Sequence, residues 1–213
     1  VREEHVREAL RLAEEGEPDF EEGAVGAGTG MCCLGFKGGI GSASRCVELD
    51  GSEYTIGALV LSNFGEEGNL VIGGRHYGSE LLPKVKERLK SDIDGSLAKD
   101  KGSIIMLIAT DIPLSSRQLE RVANRAAIAL GRTGSYMGNG SGDIAIAFST
   151  ANRMPHYSEQ SLLEMKAIHE DAIDKVFEPA VEALEESIIS SLYHAKTTLG
   201  VRGKLAYGLR EFI

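Results

Sequence analysis

The chain has 213 residues, 42% of them hydrophobic and 26% charged, and a formal net charge of −9. This length and composition predict a single globular domain over residues 1–213, or part of a larger one. The negative charge and the lack of a Lys/Arg cluster argue against a nucleic-acid partner, which would need a basic surface. No apolar run reaches the roughly 18–20 residues of a membrane helix. No signal-peptide pattern is present either, so we expect a cytoplasmic protein.

The first half of the chain alternates helical and extended patterns. A charged helix with Val6, Leu10 and Ala13 on one face is predicted to end at Gly16. Its start at Val1, already within the helical pattern, suggests further sequence upstream. The segments that follow are predicted to be short strands and tight turns over 23–45, a strand over 54–62, a hairpin over 69–78, a helix over 81–89 with Pro83 in its first turn, a surface loop over 91–102 and a strand over 103–109.

The second half of the sequence predicts a helix that is capped by Ser116 and ends at Gly131, followed by a buried strand over 143–150. A last helix over 173–192 should be kinked or divided at Pro179. Strands that are apolar on both faces and are interleaved with helices predict an α+β fold of stacked layers, with the helices outside.

Several common kinds of site are not supported. The glycine run 26–30 lacks the third glycine of a dinucleotide-binding turn, and no acidic residue follows at a suitable position. The five histidines lack the spacing of a zinc helix, so we expect neither a metal nor a cofactor. No G-x-S-x-G sequence is present, although a Ser-His-Asp triad is defined by geometry and stays open.

Ser141 stands between two glycines, directly before a predicted strand. An ordinary loop entering a strand accounts for such a pattern. A second interpretation is self-cleavage, because Gly140 can adopt a strained backbone conformation in which the Ser141 hydroxyl attacks the Gly140 carbonyl. The new chain would begin with Ser141. Its free α-amino group, with a pKa near ~7.7–8, could then act as the base without any histidine.

Three long motifs closely resemble the L-aminopeptidase/D-amidase and β-aminopeptidase family of self-processing, N-terminal-serine hydrolases. They are EGAVGAGTGMCCLGFKGGIGSASR, SIIMLIATDIPLSSRQLERVANRAAIALGRTGS and GNGSGDIAIAFSTANRMPH. The resemblance implies a four-layer αββα sandwich similar to ornithine acetyltransferase, here without its N-terminal portion. It also implies release of N-terminal residues from peptides, amides or esters, without metal or cofactor.

The resemblance also implies roles for particular residues. Gly140–Ser141 matches the self-cleavage bond, giving pieces 1–140 and 141–213, and Ser141 matches the nucleophile. Glu186, or Glu185 beside it, matches a carboxylate that would hold the new α-amino group, although solvated glutamates on a helix explain the pair equally well. Glu22, with Glu21 beside it, matches a carboxylate for the substrate's amine. The Asn63 amide, backbone N–H groups of the glycine run and the strand end at Asp111 are oxyanion candidates, but an ionised Asp111 would repel an oxyanion.

The resemblance further implies a small peptide or amide substrate and a homo-oligomer of processed αβ units. Two alternatives stay open. One is an acyltransferase that uses the same acyl-serine, and the other is a truncated, non-catalytic relative. On its own, a chain lacking the upstream segment would expose strand edges that should be covered.

Overall fold

The structure is a computed structural model that describes residues 1–16, 19–92 and 102–213. Its helices are α1 (Glu3–Glu15), α2 (Tyr77–Asp92), α3 (Ser116–Ala123), α4 (Ala126–Thr133) and α5 (Asp174–His194). Its strands are β1 (Cys32–Cys33), β2 (Phe36–Lys37), β3 (Gly39–Leu49), β4 (Ser52–Asn63), β5 (Ser103–Thr110), β6 (Ile144–Ser149), β7 (Thr198–Leu199) and β8 (Leu205–Ala206). Short 3-10 turns lie at Gly26–Gly30, Glu170–Ala172, Val201–Gly203 and Leu209–Glu211.

The main sheet has the strand order β3-β4-β5-β6. The first two pairings are antiparallel, and β6 pairs in parallel with β5. Rows of paired residues cross the sheet, such as Ser42, Leu59, Leu107 and Ile146. This register fixes which residues share an end of the sheet. The fold is therefore a mixed α/β fold, in agreement with the predicted mixture of helices and strands.

One face of the sheet forms the core with the helices. Ile56, Ala58 and Val60 of β4 are buried there, and α5 packs against both β3 and β4. Gly41 allows this contact, because a Cβ atom at that position would lie 2.0 Å from the Ser187 carbonyl oxygen of α5. The close approach of helix and strand therefore depends on a residue without a side chain.

The opposite face, which we call the outer face, is apolar but not covered in the part of the chain that the structure describes. Ile105, Ile144, Ile146 and Phe148 are exposed on it. The sequence predicted β6 to be a buried strand, and this prediction is wrong for the described chain. The reason is that, among the described residues, helices pack against one side of the sheet alone.

Several element boundaries differ from those predicted. The glycine-rich segment does contain turns, but it continues into the eleven-residue strand β3. Around Gly73 and Gly74 only a single bridge, Ile72 to Arg75, replaces the predicted hairpin. The predicted loop over 91–102 lies outside the described residues from 93 to 101, and its first two residues end α2.

The helix predictions were correct in position but not in detail. α1 ends at Gly16 with φ 69°, as predicted. Pro83 lies inside α2 rather than in its first turn, because that helix already begins at Tyr77. The helix expected from Ser116 to Gly131 is two helices, capped by Ser115 and ended by Gly134. α5 runs without division through Pro179, so its packing against the sheet outweighs the one missing hydrogen bond.

Candidate functional site

Ser141 lies in the loop that leads into β6, beside the start of β5. Its backbone N–H donates to the Gly138 carbonyl over 2.8 Å, and the next N–H, that of Gly142, donates to Ser103 Oγ over 3.0 Å. Ser103 is the first residue of β5. The serine is therefore held on both sides by hydrogen bonds, at one end of the sheet.

The Ser141 hydroxyl has a carboxylate partner. Its Oγ donates to Asp143 Oδ1 over 2.5 Å. Sequence reasoning did not assign a role to Asp143, and the only indication in the chain was an acidic residue two positions after the serine. A carboxylate at this distance can orient the hydroxyl and accept its proton.

One residue of the loop before Ser141 has an unusual backbone conformation. Met137 has φ 52°, whereas Gly140 does not have a positive φ. A positive φ is uncommon for a residue with a side chain. The left-handed conformation in this loop therefore lies at Met137, and strain at the Gly140–Ser141 bond stays a prediction.

Asn63 shares this end of the sheet with Ser141. It pairs with Ser103 across β4 and β5, so the two candidate residues lie on either side of the start of β5. Asn63 Oδ1 accepts a hydrogen bond from the Cys32 N–H over 2.9 Å. This bond fixes the amide so that its Nδ2 group, a donor, points away from Cys32.

The glycine-rich segment reaches the same end of the sheet and contains a buried cation. Lys37 is 2% exposed, and its Nζ donates to the carbonyl oxygens of Gly28 (2.8 Å), Met31 (2.5 Å) and Gly38 (2.8 Å). Loss of hydration lowers the pKa of Lys37 and raises the pKa of Cys32. Lys37 thus joins the 3-10 turn Gly26–Gly30 to the start of β3, and the segment's N–H groups stay oxyanion candidates.

Asp111 lies at the other end of β5. The seven residue steps from Ser103 to Thr110 correspond to about 23 Å of strand. Asp111 Oδ1 accepts from the Thr55 N–H over 2.7 Å. The structure therefore does not bring Asp111 to Ser141, and the carboxylate acts here as an acceptor rather than as an oxyanion donor.

Glu186 and Glu185 also lie away from Ser141. Glu186 forms an ion pair with Arg45 at 2.7 Å, and hydrogen bonds with Glu186 raise the pKa of Arg45. Arg45 belongs to the row of Ile56 and Thr110, at the far end of the sheet from Ser103. Glu185 pairs with Arg132 of α4 at 3.2 Å. In this arrangement the two glutamates join elements of the fold and do not approach the serine.

Glu22 lies beside the edge of β3 that faces away from β4, next to the bridge between Gly23 and Ile40, and its carboxylate accepts several hydrogen bonds. Its Oε1 accepts from the Ser42 N–H (2.8 Å) and the Ser42 hydroxyl (2.5 Å). Its Oε2 accepts from the Ser190 hydroxyl and lies 3.0 Å from His194 Nδ1. Ser42 is three strand spacings from β6, about 14 Å, so the structure does not bring Glu22 next to Ser141.

A cleft of about 660 Å³ surrounds Glu22. Glu21 also lines it, together with the cationic side chains of Lys196 and Arg210 and the imidazole of His194. The cleft therefore holds charges of both signs. It is separate from the end of the sheet at which Ser141 lies.

The described ranges contain no group of three or more His, Cys, Asp or Glu side chains that could hold a metal ion. In the same ranges, no helix has both the length and the apolar character needed to cross a membrane.

Comparison with known proteins identifies the family. The model of peptidase family S58 matches residues 1–206. The chain belongs to peptidase family S58. This confirms the resemblance that the three sequence motifs indicated.

Two characterised relatives of this S58 chain are β-peptidyl aminopeptidases. BapA of Sphingosinicella microcystinivorans is 42% identical over 208 residues, which are 95% of this chain and 52% of the relative. BapA of Sphingosinicella xenopeptidilytica is 38% identical over 209 residues, which are 96% of this chain and 52% of the relative. The chain thus spans about half the length of these relatives.

Solved structures of S58-like proteins share the fold. The PH0078 protein of Pyrococcus horikoshii OT3 is 53% identical with a TM-score of 0.78, covering 90% of this chain and 50% of that one. The L-aminopeptidase D-Ala-esterase/amidase of Ochrobactrum anthropi, described as a prototype of the serine aminopeptidases and a variant of the ntn hydrolase fold, is 39% identical with a TM-score of 0.77. That match covers 89% of this chain and 50% of the other.

Among the predicted site residues of this S58 chain, the structure thus groups Gly140, Ser141 and Asn63 at one end of the sheet. Glu22, Asp111 and Glu186 lie elsewhere, each with partners of its own. Asp143 is a further candidate site residue, which the sequence analysis did not identify.

Proposed function

We propose that this chain provides the nucleophile of a self-processing aminopeptidase or amidase, with Ser141 as an N-terminal serine. The observation that supports this most is the placement of Ser141, which lies before β6 with its hydroxyl bonded to a carboxylate. The chain's membership of peptidase family S58 supports the same reaction class. So do the aminopeptidase names of its relatives.

The proposed reaction has two stages. The Gly140–Ser141 bond is cut first, giving pieces 1–140 and 141–213. The free α-amino group of Ser141 then takes the hydroxyl proton, and Oγ attacks the carbonyl of a small peptide, amide or ester. The N-terminal residue leaves as an acyl-Ser141 ester, which water hydrolyses. Of the oxyanion candidates, Asn63 has an amide donor at the same end of the sheet, so we assign it this role.

We also propose the complete architecture. The outer face of the sheet is apolar and the chain spans half the length of its relatives, so a second sheet from the other half would cover this face. The result is a four-layer αββα sandwich, similar to ornithine acetyltransferase, that assembles as a homo-oligomer of processed αβ units.

Ser141→Ala tests the proposed nucleophile in the natural protein. We expect two pieces meeting at residues 140 and 141 in the wild type and one uncut chain in the variant, as measured by intact mass on a denatured sample. Turnover of an amino-acid p-nitroanilide should fall by about 10³-fold or more, because the nucleophile is removed. A Ser141→Ala variant that is still cut, or that keeps its turnover, would exclude this mechanism.

A comparison of acceptors separates hydrolysis from acyl transfer. Incubation of the wild type with a p-nitroanilide and a competing amine should give mainly the free amino acid. Amide product in excess would assign the chain to the acyltransferases instead.

A further inference from the structure

We propose that Asp143 is the proton acceptor for self-cleavage, and that this role ends once the Gly140–Ser141 bond is cut. The inference rests on the proposed function and divides it into two steps with different bases. It starts from the 2.5 Å hydrogen bond between Ser141 Oγ and Asp143 Oδ1.

Self-cleavage requires a base other than the one used in turnover. In the uncut chain the nitrogen of Ser141 is a peptide nitrogen, and its N–H donates to the Gly138 carbonyl. It has no lone pair available to accept a proton. The loop and strand over 134–150 contain no histidine. The carboxylate of Asp143 is the group that the structure places on the hydroxyl.

The proposed steps balance as follows. Asp143 Oδ1 accepts the hydroxyl proton while Ser141 Oγ bonds to the carbonyl carbon of Gly140. The bond between that carbon and the Ser141 nitrogen then breaks, and the nitrogen takes the proton back from Asp143. This leaves an ester between Gly140 and Ser141 Oγ and a free amine on Ser141. Water hydrolyses the ester, giving a Gly140 carboxylate and a free hydroxyl.

The surroundings suit a reaction that runs once per molecule. Asp143 is hydrogen-bonded to the Ser141 hydroxyl in the uncut chain, and self-cleavage needs a proton acceptor at this place only once per molecule. The loop is held by the Ser141–Gly138 and Gly142–Ser103 hydrogen bonds. A Cβ atom on Gly140 would have no other atom within 4 Å, so water can approach the ester from this side.

Asp143→Asn separates the two roles of this side chain. The amide oxygen can still accept a hydrogen bond from Ser141 Oγ, but it cannot take up the proton. We expect the variant to accumulate as an uncut chain, with cleavage slowed by about 100-fold or more, as followed by intact mass over time. Asp50→Asn is the matched control, because Asp50 lies in an exposed turn with φ 52°, a conformation that asparagine also tolerates.

Hydroxylamine at neutral pH identifies the step that is blocked, because under these conditions it cleaves esters readily. Cleavage of the neighbouring Asn139–Gly140 peptide bond needs alkaline, denaturing conditions, and it would give pieces whose masses differ by one glycine. If Asp143 is needed to form the ester, hydroxylamine will not restore cleavage of Asp143→Asn. Rapid cleavage on adding hydroxylamine would mean that the ester forms without Asp143, and would overturn the proposal. So would cleavage of the variant at the wild-type rate.

In a last experiment, the protein is produced as two separately translated chains. One includes all upstream sequence and ends at Gly140, and the other begins at Ser141. In this form the Asp143→Asn variant should lose much less of its substrate turnover than the uncut variant loses of its cleavage rate, because the serine's own amine is the base in turnover. An equal or larger loss of turnover would show that Asp143 is also the base beyond self-cleavage and would overturn the proposed division. If Ser141→Ala is cut normally, the proposed function itself fails, whatever Asp143→Asn does.

Discussion

The amide of Asn63 has two ends with different neighbours. Its oxygen accepts from the Cys32 N–H, while its nitrogen points away from Cys32, at the end of the sheet at which Ser141 lies. A substitution that removes only the nitrogen can therefore separate the structural and the proposed catalytic contributions of this side chain.

Asn63→Asp keeps an oxygen for Cys32, removes the donor and adds a negative charge, which would also repel an oxyanion; Asn63→Ser, which adds no charge, is therefore measured beside it. We expect kcat to fall by about 10²–10³-fold, the usual loss for one oxyanion donor, with little change in the urea midpoint of unfolding. Steady-state kinetics on a p-nitroanilide would measure the first effect. An unchanged kcat would remove Asn63 from the proposed mechanism, and a large loss of stability would make Asn63→Asp uninformative about the donor, in which case Asn63→Ser alone decides.

Glu22 presents a conflict between the resemblance and the structure. The resemblance gives it a substrate amine to hold, whereas its two oxygens already have four neighbouring donor atoms, those of Ser42, Ser190 and His194. An ionised carboxylate has about four lone-pair positions. A substrate amine would have to displace one of these donors.

Glu22→Gln should therefore lower the free energy of unfolding, by about 1–3 kcal/mol, because charge-assisted hydrogen bonds to a mostly buried side chain are lost. Urea denaturation measures this change. Glu21→Gln is the control, since Glu21 lines the same cleft but is exposed. A tenfold rise in KM without any loss of stability would favour the amine-binding role instead.

At the scale of elements, the contact between α5 and β3 organises the core. The Ser187 carbonyl lies where a side chain on Gly41 would begin. Close packing of this kind tolerates no added atom without movement of the helix or the strand.

Gly41→Ala should destabilise the protein by about 3 kcal/mol, because the new Cβ would overlap backbone atoms that cannot rotate away. Gly57→Ala is the matched control on the neighbouring strand, where the nearest atom to a new Cβ is 3.9 Å away. We expect it to change stability by less than about 1 kcal/mol. Equal effects of the two substitutions on thermal unfolding would contradict this account of the core.

The sequence predicted the positions of most helices and strands because their apolar periods and end residues, such as Gly16, are local features. It failed where tertiary packing decides. Pro179 was expected to kink or divide the last helix, yet α5 is continuous through it, with apolar residues on either side packed against the sheet. Residues 23–45 were predicted to form short strands and tight turns, yet pairing with β4 makes the residues from Gly39 onward part of the long strand β3.

The residues of the candidate site also divide into those that local sequence predicts and those that depend on tertiary contacts. Ser141 and Gly140 could be found from a short run of sequence and its family resemblance. The closeness of Asn63 depends on the register of three strands, which the sequence does not fix. The hydrogen bond from Ser141 to Asp143 depends on the shape of a loop, and the partners of Glu186 and Asp111 depend on contacts far along the chain.

At the scale of the whole molecule, the main feature is the exposed, apolar outer face of the sheet. Ile146 lies midway along the edge strand β6 and is 49% exposed in the described chain. A contiguous apolar sheet face of this kind normally has a partner.

Ile146→Ser should destabilise the natural protein by about 1–3 kcal/mol if a second sheet covers this face, because a buried apolar side chain is lost. The same change in the isolated 213-residue chain should have almost no effect on stability and should reduce aggregation. Leu199→Ser, at an exposed leucine of β7, is the control. Thermal unfolding and light scattering measure both outcomes, and no difference between the two contexts would contradict the four-layer architecture.

The path of the chain after Ser141 has a consequence for the proposed cut. The piece that begins there contributes β6 to one edge of the sheet and then α5, which packs across β3 and β4 at the other edge. The 141–213 piece therefore contacts the 1–140 piece at both edges of the sheet. Cleavage of the Gly140–Ser141 bond would free a single amine, and packing would hold the two pieces together. The pieces would therefore separate only when the protein unfolds.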